Sequence, residues 1–147
     1  MRGVILFPVL MIFCTFAAGQ ALTLADAKSK NAVQLSADDL KQLLPSSKVT
    51  TKTPTGSTRN WENTPGGHFV ASTDGRGSAY SNNRTFPTTG TGEWRIDDKG
   101  AYCVSIQWGS MKVSEDWCRY IFKAGEKYFT FATLDDTARA WEFEISK

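Results

Sequence analysis

Histidine is almost missing from this chain: His68 stands alone among 147 residues. Any Ser-His-Asp or Cys-His machinery has to use it, and only Ser and Thr of loop-like segments are at hand as nucleophiles. A surface or edge-strand histidine is the expectation, and a hydrolase built on His68 is the least favoured function. Cysteine is scarce as well, with three in the chain and no C-x-x-C spacing, which argues against a zinc cluster or a dithiol redox centre. Charge of one sign is lacking: 17 basic residues are interspersed with 15 acidic ones, so no basic face is available to release counterions from a nucleic acid. Gly90-Thr91-Gly92 is too short, and too far from a helix start, to cradle a phosphate. Asp97-Asp98 and Asp135-Asp136 are adjacent pairs whose side chains point apart in extended backbone, and turn roles suit them better than acid-base or calcium roles. Nothing here calls for a catalytic residue, a metal or a cofactor.

Long apolar runs are also absent, with one exception at the N-terminus. Met1 and Arg2 form a short basic start, and Gly3 to Phe16 is nearly free of polar residues. The run falls short of the roughly 20 residues needed to span a bilayer. The small residues around Ala17-Ala18-Gly19 and Gly19-Gln20-Ala21 fit a secretory signal cleaved after Gly19 or Ala21. Bulky Phe13 sits where a lipid-modification signal needs a small residue, so Cys14 is expected to leave with the signal. Removal of Arg2 leaves a nearly neutral chain with no electrostatic preference in a partner and no stable membrane anchor. Cys103 and Cys118 remain, and a bridge between them places the chain in an oxidising compartment, periplasmic or secreted.

The expected organisation is a signal over residues 1–21, a lead-in over 22–35 and one β-rich domain over 36–147, long enough for a real core that a disulfide assists. The lead-in has no clear period and is partly helical at most. Ser36 caps a helix with Asp39 as the returning partner, Leu35 and Leu40 staple its start, and Leu40, Leu43 and Leu44 form one stripe before Pro45 stops it. Its expected task is to plug or cover one side of a sheet.

From Val49 onward the composition is that of turn-rich β structure. Val49–Lys52, Asn60–Glu62 and His68–Ser72 are strand candidates. Thr73 to Gly92 is open to three readings: a mobile loop, a pair of short strands or a recognition loop. A turn at Asp97–Gly100 would set Ile96 opposite Ala101 and Trp94 opposite Cys103. A hairpin turn at Ser110-Met111 would set Cys103 opposite Cys118. Turns at Lys123–Glu126 and Leu134–Ala138 would pair Tyr120 with Phe129, Phe131 with Trp141, and Phe129 with Phe143. Trp94, Cys103, Cys118, Tyr120, Phe129, Phe131, Trp141 and Phe143 then share one face, taken as the core. Tyr102, Val104, Ile106, Trp108, Trp117 and Ile121 fall on the other, which needs a barrel closure with a helix, a bulge or a ligand groove to cover it.

Gly92-Glu93-Trp94 resembles the Gly-x-Trp of lipocalin-like barrels, where it opens the first strand. Over most of the chain, Leu35–Leu40 with its Leu-Leu-Pro ending, Gly92–Ile96, Tyr102-Cys103-Val104, Trp117–Phe122 and Gly125–Tyr128 resemble a family of small exported bacterial β proteins of unknown function. That resemblance implies a compact β domain with one disulfide and transfers no catalytic residue. The fold class expected is mainly β, an antiparallel meander or small lipocalin-like barrel with one short N-terminal helix. The function expected is non-catalytic binding of a protein, a glycan or a small ligand, including inhibition of a protease or cell-wall hydrolase. A carrier of small apolar ligands is the alternative. Candidate binding residues are Arg76, Tyr80 and Arg84 in the Thr73–Thr91 segment and Trp108 and Trp117 on the second aromatic face.

Overall fold

The structure is a computed structural model that describes residues 21–53, 56–77, 85–109 and 113–147. The signal expected over residues 1–21 therefore lies outside the described residues apart from Ala21, and among those described no helix is long and apolar enough to cross a membrane. In chain order the elements are α1 (Leu24–Ser29), β1 (Val33–Gln34), α2 (Ala37–Leu43), β2 (Lys48–Lys52), β3 (Thr58–Glu62), β4 (His68–Gly77), β5 (Thr85–Ile96), β6 (Tyr102–Trp108), β7 (Val113–Ala124), β8 (Lys127–Phe131) and β9 (Trp141–Ser146). Strands β2 to β9 pair antiparallel in chain order, and β9 returns to β2, closing an eight-stranded barrel. Strand β1 adds to β7 through Val33–Lys123 and Gln34–Phe122. Closure removes the open edges that a meander of this composition would expose.

The lead-in is thus more structured than expected. Thr23 caps α1 in a full capping box with Asp26, the same device by which Ser36 and Asp39 start α2, so there are two short helices rather than one. Leu40 and Leu44 of α2 are fully buried against Val49, Tyr102 and Ile121, so this helix plugs one end of the barrel. Below it, Asn63 accepts from the Tyr102 hydroxyl at 2.8 Å and from Trp61 Nε1 at 3.1 Å, and donates to Ser47 Oγ at 3.2 Å. Ser47 Oγ in turn donates to the Leu44 carbonyl at 2.7 Å, so the buried polar groups of this end satisfy one another. Burial pushes the Tyr102 phenol above its ordinary range and holds it neutral.

The bridge is where the sequence placed it, with Cys103 directly opposite Cys118 and the sulfurs bonded at 2.03 Å. The Cα atoms are 3.9 Å apart, just closer than the usual 4.4 Å lower bound. The neighbouring register differs from expectation by one residue. Ile96 pairs with Tyr102, Arg95 with Cys103 and Trp94 with Val104. Gly100 takes a left-handed φ of 76°, and Asp97 N–H donates to the Ala101 carbonyl at 2.9 Å, so Ala101 belongs to the turn. The extra residue shifts the register, and one residue of slip exchanges the two faces of a strand.

The core assignment inverts on β6, β7 and β8, whereas Trp94, Trp141 and Phe143 lie on the inner side as expected. Tyr102, Val104, Ile106, Trp108 and Ile121 point inward with Trp61, Phe69 and Phe143, and Trp94 and Trp117 pack against them. The disulfide lies on the outer surface. Tyr120 faces Phe131 rather than Phe129, because Gly125-Glu126 alone makes the β7–β8 turn, and Thr130 rather than Phe131 faces Trp141. Phe143 meets Tyr128 rather than Phe129. Tyr120, Phe129 and Phe131 do share a face, but it is the outer one, where α1 lays Leu24 and Ala27 over Phe122 and Phe131 to make a second, smaller core. Covering of the remaining aromatics is achieved by barrel closure, one of the expected solutions. Of the three readings of Thr73–Gly92, strands hold for its described residues, which belong to β4 and β5.

Candidate functional site

The connections β2–β3, β4–β5, β6–β7 and β8–β9 all lie at the barrel end away from α2, as an up-and-down order requires. The inner face near that end is where charge enters the barrel. Arg59 at the start of β3 forms an ion pair with Glu115 near the start of β7, with side chains only 17% and 22% exposed. Glu115 also accepts from Trp108 Nε1 at 3.1 Å, and the Arg59 guanidinium lies 5.5 Å from the Trp108 ring centre. One acid thus neutralises one base and satisfies an indole.

Arg119 lies two alternations further along β7, on the same inner face as Glu115 and Trp117. Its guanidinium packs beside two indoles, its carbon 4.6 Å from the Trp117 ring centre and 4.1 Å from the Trp141 ring centre. Nη1 is buried and has no hydrogen-bond partner among the described residues. Burial pushes the Arg119 pKa down to about 10, Glu115 opposing that effect and Arg59 adding to it. Thr130, fully buried on β8 and paired with both Ile121 and Trp141, also has an Oγ1 without a partner among the described residues. The arrangement places a positive, hydrogen-bond-donating group beside tryptophans on the inner face, and among the described residues no nucleophile stands beside a base there.

The sequence-derived residues fare unevenly. Trp108 and Trp117 belong to the barrel interior rather than to an outer aromatic face, Trp108 almost completely buried. Arg76 falls in β4, opposite Phe86. Tyr80 and Arg84 lie outside the described residues. His68 is on the outer surface, its Nδ1 3.6 Å from Glu93 Oε1 with both side chains about 70% exposed (71% and 73%). Asp97 works as a turn residue, accepting from the Lys99 and Ala101 N–H groups at 2.9 and 2.8 Å. It also lies 4.0 Å from Cys103 Sγ, but both sulfurs are committed to the bridge. Asp136 anchors α1 through Lys28 Nζ at 2.7 Å.

Arg59, Glu115, Arg119 and Trp141 were not singled out from sequence. The signal was present in β7: once Cys118 points outward, Glu115, Trp117, Arg119 and Ile121 alternate inward, an inner row that contains two charges.

A family described as proteins of unknown function, DUF995, matches residues 10–120. The chain belongs to the DUF995 family. No curated protein and no solved structure matches it. The DUF995 match takes in Arg59, Trp108, Glu115, Trp117 and Arg119 and stops before Thr130 and Trp141. Strands β8 and β9, which close the barrel and complete the frame around Arg119, therefore lie beyond the matched segment.

Proposed function

We propose that this DUF995 chain is an exported, non-catalytic binding protein whose ligand enters the barrel at the end away from α2. One observation carries the reading: Arg119 lies on the inner face beside Trp117 and Trp141, with a buried Nη1 that has no hydrogen-bond partner among the described residues. A buried cation without a counter-ion lowers stability, and such a group is a reason to look for a ligand that supplies what the fold withholds. An apolar carrier fits less well, because the inner wall holds Arg59, Glu115 and Arg119 and the α2 end is filled by aromatic side chains. Export is supported by the basic start, apolar run and small residues of the first 21 positions and by the Cys103–Cys118 bridge.

The test is native mass spectrometry of the protein purified without denaturation, with tryptophan emission followed as any bound species is dialysed away. Co-purified ligand whose loss changes the emission supports the reading; an empty chain that no small-molecule extract perturbs refutes it. Intact mass of the exported chain checks compartment separately, with Gln20 or Leu22 expected as the first residue. Inhibition of a protein partner is the second reading, favoured by a β4–β5 hairpin that runs on to Gly77 and Thr85, beyond the last β3 pairing at Thr73. Shortening that hairpin should abolish capture of such a partner and leave ligand binding at Arg119 unchanged.

A further inference from the structure

We propose that the ligand of this site is a small monocarboxylate whose carboxylate is seated on the edge of Arg119 and within reach of the Thr130 hydroxyl. The inference rests on the binding reading above and specifies its chemistry. Three observations lead to it.

The first is the direction from which Arg119 is accessible. Its guanidinium carbon lies 4.6 Å from the Trp117 ring centre and 4.1 Å from that of Trp141, so each indole packs against the cation. The N–H groups point in the guanidinium plane, and a planar two-oxygen group matches that fork.

The second is the charge balance of the inner wall. Arg59 and Glu115 are paired with each other, so among the described residues Arg119 leaves the inner wall with one positive charge in excess. A singly charged carboxylate cancels that excess. A doubly charged phosphate would reverse it, and a neutral amide would leave it standing.

The third is the coincidence of two orphaned polar atoms. Thr130 is the register partner of Trp141 on one side and of Ile121 on the other, and Arg119 is two residues from Ile121 on the same face of β7. Arg119 Nη1 is a donor without an acceptor among the described residues, and Thr130 Oγ1 is without either. One oxyanion would answer both, as the buried polar atoms of Asn63, Tyr102 and Trp61 answer one another at the α2 end. A bound water would also contact both atoms but would leave the charge uncompensated.

The experiment is a tryptophan-fluorescence and calorimetric titration of the purified chain with sodium acetate and sodium benzoate, with acetamide and benzamide as neutral counterparts and inorganic phosphate as the competing oxyanion. Binding of at least one carboxylate, about tenfold or more tighter than its amide, is expected from one charge-assisted bidentate contact. Arg119→Met should remove that preference while holding or raising Tm, since an apolar side chain of similar length relieves a buried charge. Glu115→Gln should tighten carboxylate binding by about tenfold by removing the competing anion. Thr130→Val should weaken it, and unchanged melting would show that the loss is not a folding defect.

Equal binding of acid and amide, or carboxylate binding that survives Arg119→Met, overturns the carboxylate assignment and leaves the barrel-end site standing. Phosphate binding without carboxylate binding overturns it too, in favour of a dianion. A chain that binds none of the probes and carries no co-purified ligand refutes both this inference and the reading beneath it.

Discussion

Gly92 shows at the scale of one residue how this interior is built. It lies on β5 between Phe69 and Ile106, and a Cβ placed there would overlap the Phe69 ring and approach the Ser105 carbonyl at 2.8 Å. The glycine is where the Phe69 ring crosses β5, so Gly92→Ala should destabilise by about 1 to 3 kcal/mol through overpacking, measured as a lower urea midpoint with unchanged m-value. His68 is the opposite case. Its ring is on the surface beside Glu93, in contact with solvent over most of its area, and His68→Ala should change stability by about 0.5 kcal/mol or less and leave ligand binding intact. A hundredfold loss of some measured activity in that variant, with melting unchanged, would instead establish chemistry at His68. Both outcomes follow from which face of a strand the side chain occupies. Sequence alone assigned the exposed histidine correctly, because its lack of partners is visible in the composition, whereas the demand for glycine at position 92 depends on a ring from another strand.

The elements most legible in the sequence were those whose signals are local. Ser36 and Asp39 spell out a capping box, with Leu35 and Leu40 beside it, and the structure forms that helix with both reciprocal bonds present. Thr23 and Asp26 carry the same device at the same spacing in a less periodic segment, and α1 went unread because its apolar residues pack on Phe122 and Phe131 from distant parts of the chain. In both boxes the cap hydroxyl and backbone N–H hold the acid below its ordinary value of 3.8. Stability from these carboxylates is therefore present above the unfolded pKa and is lost as pH falls through the lower folded values. Melts recorded from pH 5 to pH 2 should show a decline in Tm that is shallower in the Asp26→Asn, Asp39→Asn double variant than in the unaltered chain. Ser36→Ala should cost about 1 kcal/mol at neutral pH, and because it loosens the α2 plug it should speed amide exchange at Leu44 before exchange in β5.

For the molecule as a whole, the disulfide and the barrel closure act on different terms of the same balance. The Cys103–Cys118 bridge spans a sequence separation of 15 residues, and the loss of loop entropy in the unfolded chain is worth roughly 3 kcal/mol. The Cys103→Ser, Cys118→Ser pair should lower the unfolding free energy by about that amount without moving the barrel register, since β6 and β7 pair from Tyr102–Arg119 to Trp108–Val113 around it. An altered near-ultraviolet spectrum in the folded double variant would mean that the bridge sets the register as well. By itself the sequence determined the β class, the cysteine partners, the short helix at Ser36 and the turn roles of the aspartate pairs, because each rests on residues close in the chain or on elimination among few candidates. What only the tertiary structure decided was which face of β6, β7 and β8 is inside. A period of two divides a strand into two faces but does not name the buried one, and the added residue at the Gly100 turn exchanged them. The pairing of β7 with β8 and of β8 with β9 brings Trp141 from near the end of the chain beside Arg119, whose buried Nη1 has no hydrogen-bond partner among the described residues.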